Sequence, residues 1–232
     1  MEWKTIEQTV WDRLAQETRP IVLYGMGDGA DKILRQFELH GIQASGVFAS
    51  DEFVRGHSFA GFPVRTLAQT VEHFGEDFVI VLSFASQRPE VLQKMYDLDA
   101  RFDVVAPDVP VAGEGLFDLE FAHVHESELD AAAALMADTR SHEVFDAMVC
   151  FKLTGKLHYL RAGEDDKQEA FTNILKPCES EHFVDLGAYN GDTIRELLGY
   201  TDGVFASITA LEPDRRNYRK LAAFTQTLSG NI

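Results

Sequence analysis

Cysteine is scarce in this chain: Cys150 and Cys178 are the only two among 232 residues. Neither has a partner at the spacing of a zinc ribbon or a redox motif. A disulfide framework is thereby excluded, and two reduced structural thiols are expected. Long apolar runs are missing too. Apolar stretches such as Phe78 to Leu82 fall far short of the ~20 residues a membrane-crossing helix needs. The opening Met-Glu-Trp-Lys-Thr-Ile-Glu-Gln carries acids where a secretory leader would carry an apolar stretch, so a soluble cytoplasmic protein is expected. Basic charge is the third shortage. Lys and Arg total 21 against 38 Asp and Glu, a net charge of −17 that repels nucleic-acid phosphates and anionic membranes.

What is present is enough apolar material, 45%, for a packed core. At roughly 150 residues per domain the length corresponds to about one and a half domains. The acidic excess is uneven: residues 183–232 hold six acidic and five basic side chains, so nearly all of it lies upstream. Composition thus shifts near residue 183.

Hydrophobic periodicity orders the first part. Ile6, Val10, Trp11 and Leu14 predict a leading helix over Thr5–Gln16. Ile21-Val-Leu-Tyr24 predicts a strand, followed by a glycine turn and a helix carrying Ile33, Leu34 and Phe37. Further strands are expected at Gly46–Ser50, Phe78–Phe84 and Phe102–Ala106, with an extended piece at Pro63-Val64 and helices at Leu67–Phe74 and Pro89–Tyr96. The run at Phe78–Phe84 is continuous rather than alternating, as in a strand buried on both faces of a parallel sheet. This alternation predicts an α/β fold: a doubly wound Rossmann-like domain over residues 1–110. Residues 111–182 show no strand pattern and are expected to form an acidic helical connector, with helices opened by Ser127 and Ser141. At Phe183 the strand, turn and helix order restarts. A second strand, Ser207–Leu211, and a further helix give the first βαβα portion of another Rossmann-like domain over residues 183–232.

Two glycine turns are candidate sites. The first, Gly25-x-Gly27-x-x-Ala30 with Asp51 ending the next strand, has the dinucleotide spacing: glycines allow close approach to a phosphate, and a strand-end carboxylate can accept from ribose hydroxyls. Asp28 and Asp31 oppose an anion there, and packing of helix on sheet explains the turn equally well. A ligand at this turn would also meet the loop at Ser83, Ser86 and Gln87. The second turn, Asp185-x-Gly187-Ala188-x-x-Gly191-Asp192, is followed by Glu212 at the end of the next strand. It leaves room for an adenosyl sulfonium, with Asp185 attracting an ammonium group and Glu212 poised for a ribose diol. This is a coherent S-adenosylmethionine site. Tyr189 and Asn190 either line that pocket or only shape the turn.

Phe183-Val-Asp-Leu-Gly-Ala-Tyr-Asn-Gly-Asp-Thr-Ile-Arg-Glu-Leu with Ala210-Leu-Glu-Pro-Asp-Arg-Arg-Asn-Tyr resembles the opening of an FkbM-type methyltransferase. Ser141-His-Glu-Val-Phe-Asp and Phe151-Lys-Leu-Thr-Gly-Lys-Leu-His-Tyr-Leu resemble the helical segment preceding that domain in bacterial members. Ile21-Val-Leu-Tyr-Gly-Met-Gly-Asp-Gly-Ala and Gly61-Phe-Pro-Val-Arg resemble the nucleotide-binding-like N-terminal domains of these proteins and of sugar acyltransferases of the PglD kind. The resemblance implies S-adenosylmethionine held by Asp185, Gly187, Ala188, Gly191, Asp192 and Glu212, and O-methyl transfer to a sugar or other small metabolite; the net charge argues against nucleic-acid and membrane partners, and a homo-oligomer is compatible with both. No residue is identified as the catalytic base. Because residues 183–232 suffice for two strand and helix units where such domains have seven strands, a truncated methyltransferase domain is expected, carrying the cofactor half-site and not the acceptor half.

The alternative reading gives the work to the first domain, as a sensor or targeting module for a nucleotide or nucleotide-sugar at Gly25, Gly27, Ala30 and Asp51. A nicotinamide oxidoreductase at the same residues lacks a His, Tyr or Lys constellation for hydride chemistry. His123 and His125 beside Glu126 have no third ligand in sequence, so no metal site is expected. Arg215, Arg216, Arg219 and Lys220 read as an exposed helix face.

Overall fold

The computed structural model describes residues 1–86, 88–110, 113 and 115–232, which divide into two compact units, Met1–Glu164 and Asp165–Ile232. In the first unit the leading helix is split. Residues Glu2–Thr5 form a 3-10 turn and α1 spans Val10–Ala15. The break arises at Thr9, whose hydroxyl accepts from the Asp12 N–H while the Asp12 carboxylate accepts from the Thr9 N–H. This reciprocal cap starts a new helix, and Ile6 before it is extended.

Strand β1 (Ile21–Tyr24) leads to α2 (Asp28–His40), β2 (Gly46–Phe48), β3 (Ser58–Phe59), β4 (Phe62–Arg65), α3 (Leu67–Phe74), β5 (Val79–Leu82), α4 (Pro89–Asp99) and β6 (Asp103–Val105). The sheet order is β3-β4-β2-β1-β5-β6, parallel except for the short β3. In register, Val22 faces Gly46 on one side and Ile80 on the other, so β1 is central and all four of its residues are buried. On one face Leu23, Val47 and Val81 pack with Ile33 and Phe37 of α2 and Trp11 of α1. On the other Val22, Phe48 and Ile80 pack with Met95 of α4, with Leu67 and Val71 of α3 alongside. Each such buried aliphatic side chain contributes about 1.5–3 kcal/mol, which is why the continuous runs become inner strands. This is the doubly wound, Rossmann-like arrangement.

Helices α5 (Leu119–Val124), α6 (Glu126–Ala134), α7 (Thr139–Thr154) and α8 (Leu157–Ala162) complete the unit. Ser127 does not open α6: that helix starts one residue earlier, straight after α5, and the Ser127 hydroxyl donates to Glu128. The cap of α7 is Asp138, whose carboxylate accepts from the Ser141 N–H at 2.8 Å. Trp3 is fully buried among Ala122, Val149, Cys150 and Leu153, and the Asp146 carboxylate accepts from the Glu2 and Trp3 N–H groups at 2.6 and 3.2 Å. The N-terminal turn thus joins the helices.

The second unit contains α9 (Lys167–Glu169), a π-helical turn at Ala170–Leu175, β7 (His182–Leu186), α10 (Asp192–Tyr200), β8 (Ser207–Leu211) and α11 (Arg215–Thr225). The two strands are parallel, with Asp185 opposite Ala210. Phe183, Ile208 and Ala210 pack on Ile194 and Leu197 of α10 and Leu221 of α11. The alternate residues Val184, Leu186 and Leu211 are 59%, 75% and 55% exposed, so one sheet face is bare. Among the described residues, no helix is long and apolar enough to cross a membrane.

Candidate functional site

The turn between β7 and α10 is laced to the end of β8. The N–H groups of Gly187 and Ala188 both donate to the Leu211 carbonyl, at 2.8 and 2.9 Å, and the Gly191 N–H donates to the Ala188 carbonyl at 2.7 Å. Ala188 is buried in the α10–α11 core. Gly191 has φ +84° and lies so close to α11 that a Cβ would stand 2.5 Å from the Phe224 ring. Gly187, at φ +98°, is the opposite case: its missing Cβ points into open space.

Glu212 follows β8 directly. Its Oε2 accepts from the Tyr189 N–H at 2.7 Å and its Oε1 from the Asp214 N–H at 2.8 Å. Two backbone amides therefore fix the carboxylate, while each oxygen keeps capacity for a further donor. Asp185 sits in β7 on the side that faces the helices. Its Oδ2 is buried and has no hydrogen-bond partner among the described residues. An orphaned buried acceptor costs about 1–3 kcal/mol, an expense that a cationic donor in a ligand would offset. Asp192 is the exposed first residue of α10, where its charge suits the positive end of the helix dipole.

The fold thus gathers Gly187, Ala188, Gly191 and Glu212 into one turn, with Asp185 on the strand that enters it and Asp192 on the helix that leaves it. Tyr189 takes a shaping role: it adopts φ +44° and uses its N–H to hold Glu212. The Lys220 ammonium lies 5.7 Å from the Tyr189 ring, a cation–π contact that a reading of Lys220 as part of an exposed charged face does not anticipate. Only the spacing of α11 after Glu212 could have hinted at it.

With this geometry in place, comparison with known proteins gives one solved structure. The fold is similar to that of an FkbM methyltransferase. That crystal structure, methyltransferase FkbM from Methylobacillus flagellatus KT, superposes with a TM-score of 0.60 at 17% identity, over 91% of this chain and 60% of the other. The chain therefore spans about 60% of the length of the Methylobacillus methyltransferase, and at this identity the likeness is one of fold. No family model matches the chain, and no curated protein matches it.

The first glycine turn is built differently from the second. A Cβ on Gly25 would stand 2.6 Å from the Phe84 ring and 2.7 Å from the Ser83 hydroxyl, and one on Gly29 only 2.2 Å from the Ser83 carbonyl. Ser83 itself donates to the Tyr24 carbonyl at 2.9 Å. Close packing against the end of β5 therefore accounts for both glycines. Gly27 caps α2 with open space beside it, and Ala30 is fully buried in the sheet-facing core. Asp28, which opposes an anion at this turn, pairs with Lys32 at 2.9 Å. Asp51 lines a separate cavity to which none of Gly25, Gly27 and Ala30 contributes. Ser86 accepts from the Arg88 N–H at 3.2 Å; Gln87 lies outside the described residues.

Elsewhere, His125 approaches Glu128 at 3.7 Å, and no group of three metal-ligating side chains gathers among the described residues. Burial pushes the Cys150 thiol up to about 12, which leaves it an inert packing group.

Proposed function

We propose that this chain binds S-adenosylmethionine and acts in methyl transfer of the FkbM type, to a hydroxyl of a sugar or other small metabolite. The observation that carries the reading is the conjunction at the second turn: an orphaned buried oxygen on Asp185, open space at Gly187, and a Glu212 carboxylate held in place by two amides. Asp185 is suited to the amino-acid ammonium of the cofactor, and Glu212 to its ribose hydroxyls. Gly191 lets α11 close behind the turn, and Ala188 anchors it in the core. The cofactor supplies an electrophilic methyl group on a sulfonium, so the chain's own task is to hold that group and orient an acceptor oxygen against it. The fold likeness to the Methylobacillus methyltransferase supports this assignment.

Calorimetry with S-adenosylhomocysteine tests it. Binding by the full chain is expected, weakened about tenfold or more in Glu212→Gln and in Asp185→Asn, since each removes a charge-assisted hydrogen bond. Equal affinity for wild type and both variants would overturn the assignment.

A further inference from the structure

The first unit has a cavity that the methyltransferase reading leaves unused. It holds about 290 Å³ and lies on the sheet face between α3 and α4, reaching from the carboxyl ends of β1 and β2 to Arg101 and Phe102 before β6. Open α/β sheets take their ligands at that end. Its apolar lining comes from Tyr24, Phe48, Leu67 and Leu98, and Tyr24 and Phe48 are stacked with centroids 4.5 Å apart. Its polar lining includes Asp51, which follows β2, and Lys94 and Asp97 of α4, which share a helix face with Leu98. Two of these charges make no hydrogen bond, although Lys94 also lies one turn from Glu90 and attracts it. Asp97 accepts from Gln93 at 2.8 Å and the nearby Arg101 pairs with Glu76, whereas neither the Asp51 carboxylate nor the Lys94 ammonium has a hydrogen-bond partner among the described residues.

We propose that this cavity binds a ribonucleoside monophosphate. The apolar lining takes the planar base, Asp51 accepts from the ribose hydroxyl pair, and Lys94 meets the phosphate. Ligand pockets run from about 300 to 1,000 Å³, so this one, at the lower bound, suits a single nucleotide and is too small to enclose a dinucleotide. The site is distinct from the first glycine turn, none of whose glycines lines it, and it stands independently of cofactor binding in the second unit.

The test is calorimetry on the full chain with AMP, GMP, CMP and UMP, each against its 2′-deoxy counterpart and its unphosphorylated nucleoside. At least one monophosphate is expected to bind. Loss of the 2′-hydroxyl should weaken that ligand about tenfold in wild type and leave its affinity unchanged in Asp51→Ala. Lys94→Gln should remove most of the advantage of the monophosphate over the nucleoside. Leu98→Trp, which fills the cavity, should abolish nucleotide binding and leave S-adenosylhomocysteine binding intact. Should that variant misfold, the two exposed substitutions carry the test alone. The proposal is overturned if no monophosphate binds, if a folded Leu98→Trp binds as wild type does, or if the deoxy penalty persists in Asp51→Ala.

Discussion

In the first unit β1 enters a glycine turn whose Gly25 and Gly29 press against Ser83 and Phe84. In the second, β7 enters a turn whose Gly187 faces open space and whose neighbouring Asp185 keeps an unpartnered oxygen. The sheets differ in the same sense. The inner strands β1, β2 and β5 of the first are buried on both faces, while two strands in the second leave Val184, Leu186 and Leu211 bare. One local pattern, strand then glycine turn then helix, thus serves packing in one place and leaves chemistry available in the other. Glycine spacing alone does not distinguish the two; the space beside the glycines and the oxygen of Asp185 without a partner among the described residues do.

The largest effect that would break this contrast is in the first sheet. Leu23→Ala removes a fully buried side chain at its centre and is expected to cost about 2–5 kcal/mol in urea unfolding. A cost below 1 kcal/mol, on the order of a surface change, would contradict the buried first sheet. Next come the paired turn variants. Gly25→Ala forces a Cβ into Ser83 and Phe84 and should lower stability by about 1–3 kcal/mol without altering S-adenosylhomocysteine affinity. Gly187→Ala meets no such clash, so its stability cost is confined to the positive φ, about 1–2 kcal/mol, yet it should weaken binding because the methyl group enters the open side of the turn. Identical binding behaviour of the two variants would erase the distinction.

A smaller, pH-dependent effect belongs to the first unit. Hydrogen bonds from Arg19 hold the Glu17 carboxyl down at about 2, and Arg19 also reaches Asp103 at 2.6 Å. A depressed carboxyl stabilises the fold fully above its ordinary unfolded value near 4.5 and loses that contribution as pH falls toward 2. Arg19→Met should flatten the stability slope across that interval, with a loss of about 0.5–1 kcal/mol at neutral pH. An unchanged slope would show that the pair is not coupled to folding. The smallest effect is expected on the bare face. Threonine at Val184, Leu186 and Leu211 together should change unfolding by no more than about 0.5 kcal/mol per site while reducing binding of a hydrophobic dye.

The inner strands were legible in the sequence because continuous apolar runs such as Val79–Leu82 have few other places to go. The order of both α/β patterns followed from the same periodicity. Less was legible where a local hydrogen bond overrides hydrophobic spacing: the cap at Thr9 divides a helix that Ile6, Val10 and Leu14 suggest is single. The extended piece at Pro63-Val64 gave no sign of its partners, because β4 pairs with β2 through a crossover and with only two residues of β3. At the second turn the residue types and spacing were readable, but the positive φ of Tyr189 and its grip on Glu212 were not, since both depend on where β8 ends. Of the cavity lining, drawn from β1, β2, α3, α4 and the segments after β2 and before β6, only Asp51 had a signature in the sequence.

The central claim, that the second turn and not the first holds the cofactor, is tested most directly by a crystal structure of the full chain with S-adenosylhomocysteine. The ligand should lie across Gly187, with its ribose hydroxyls donating to Glu212 and its ammonium donating to the Oδ2 of Asp185. A ligand seated elsewhere, with that oxygen still lacking a partner, would contradict the claim.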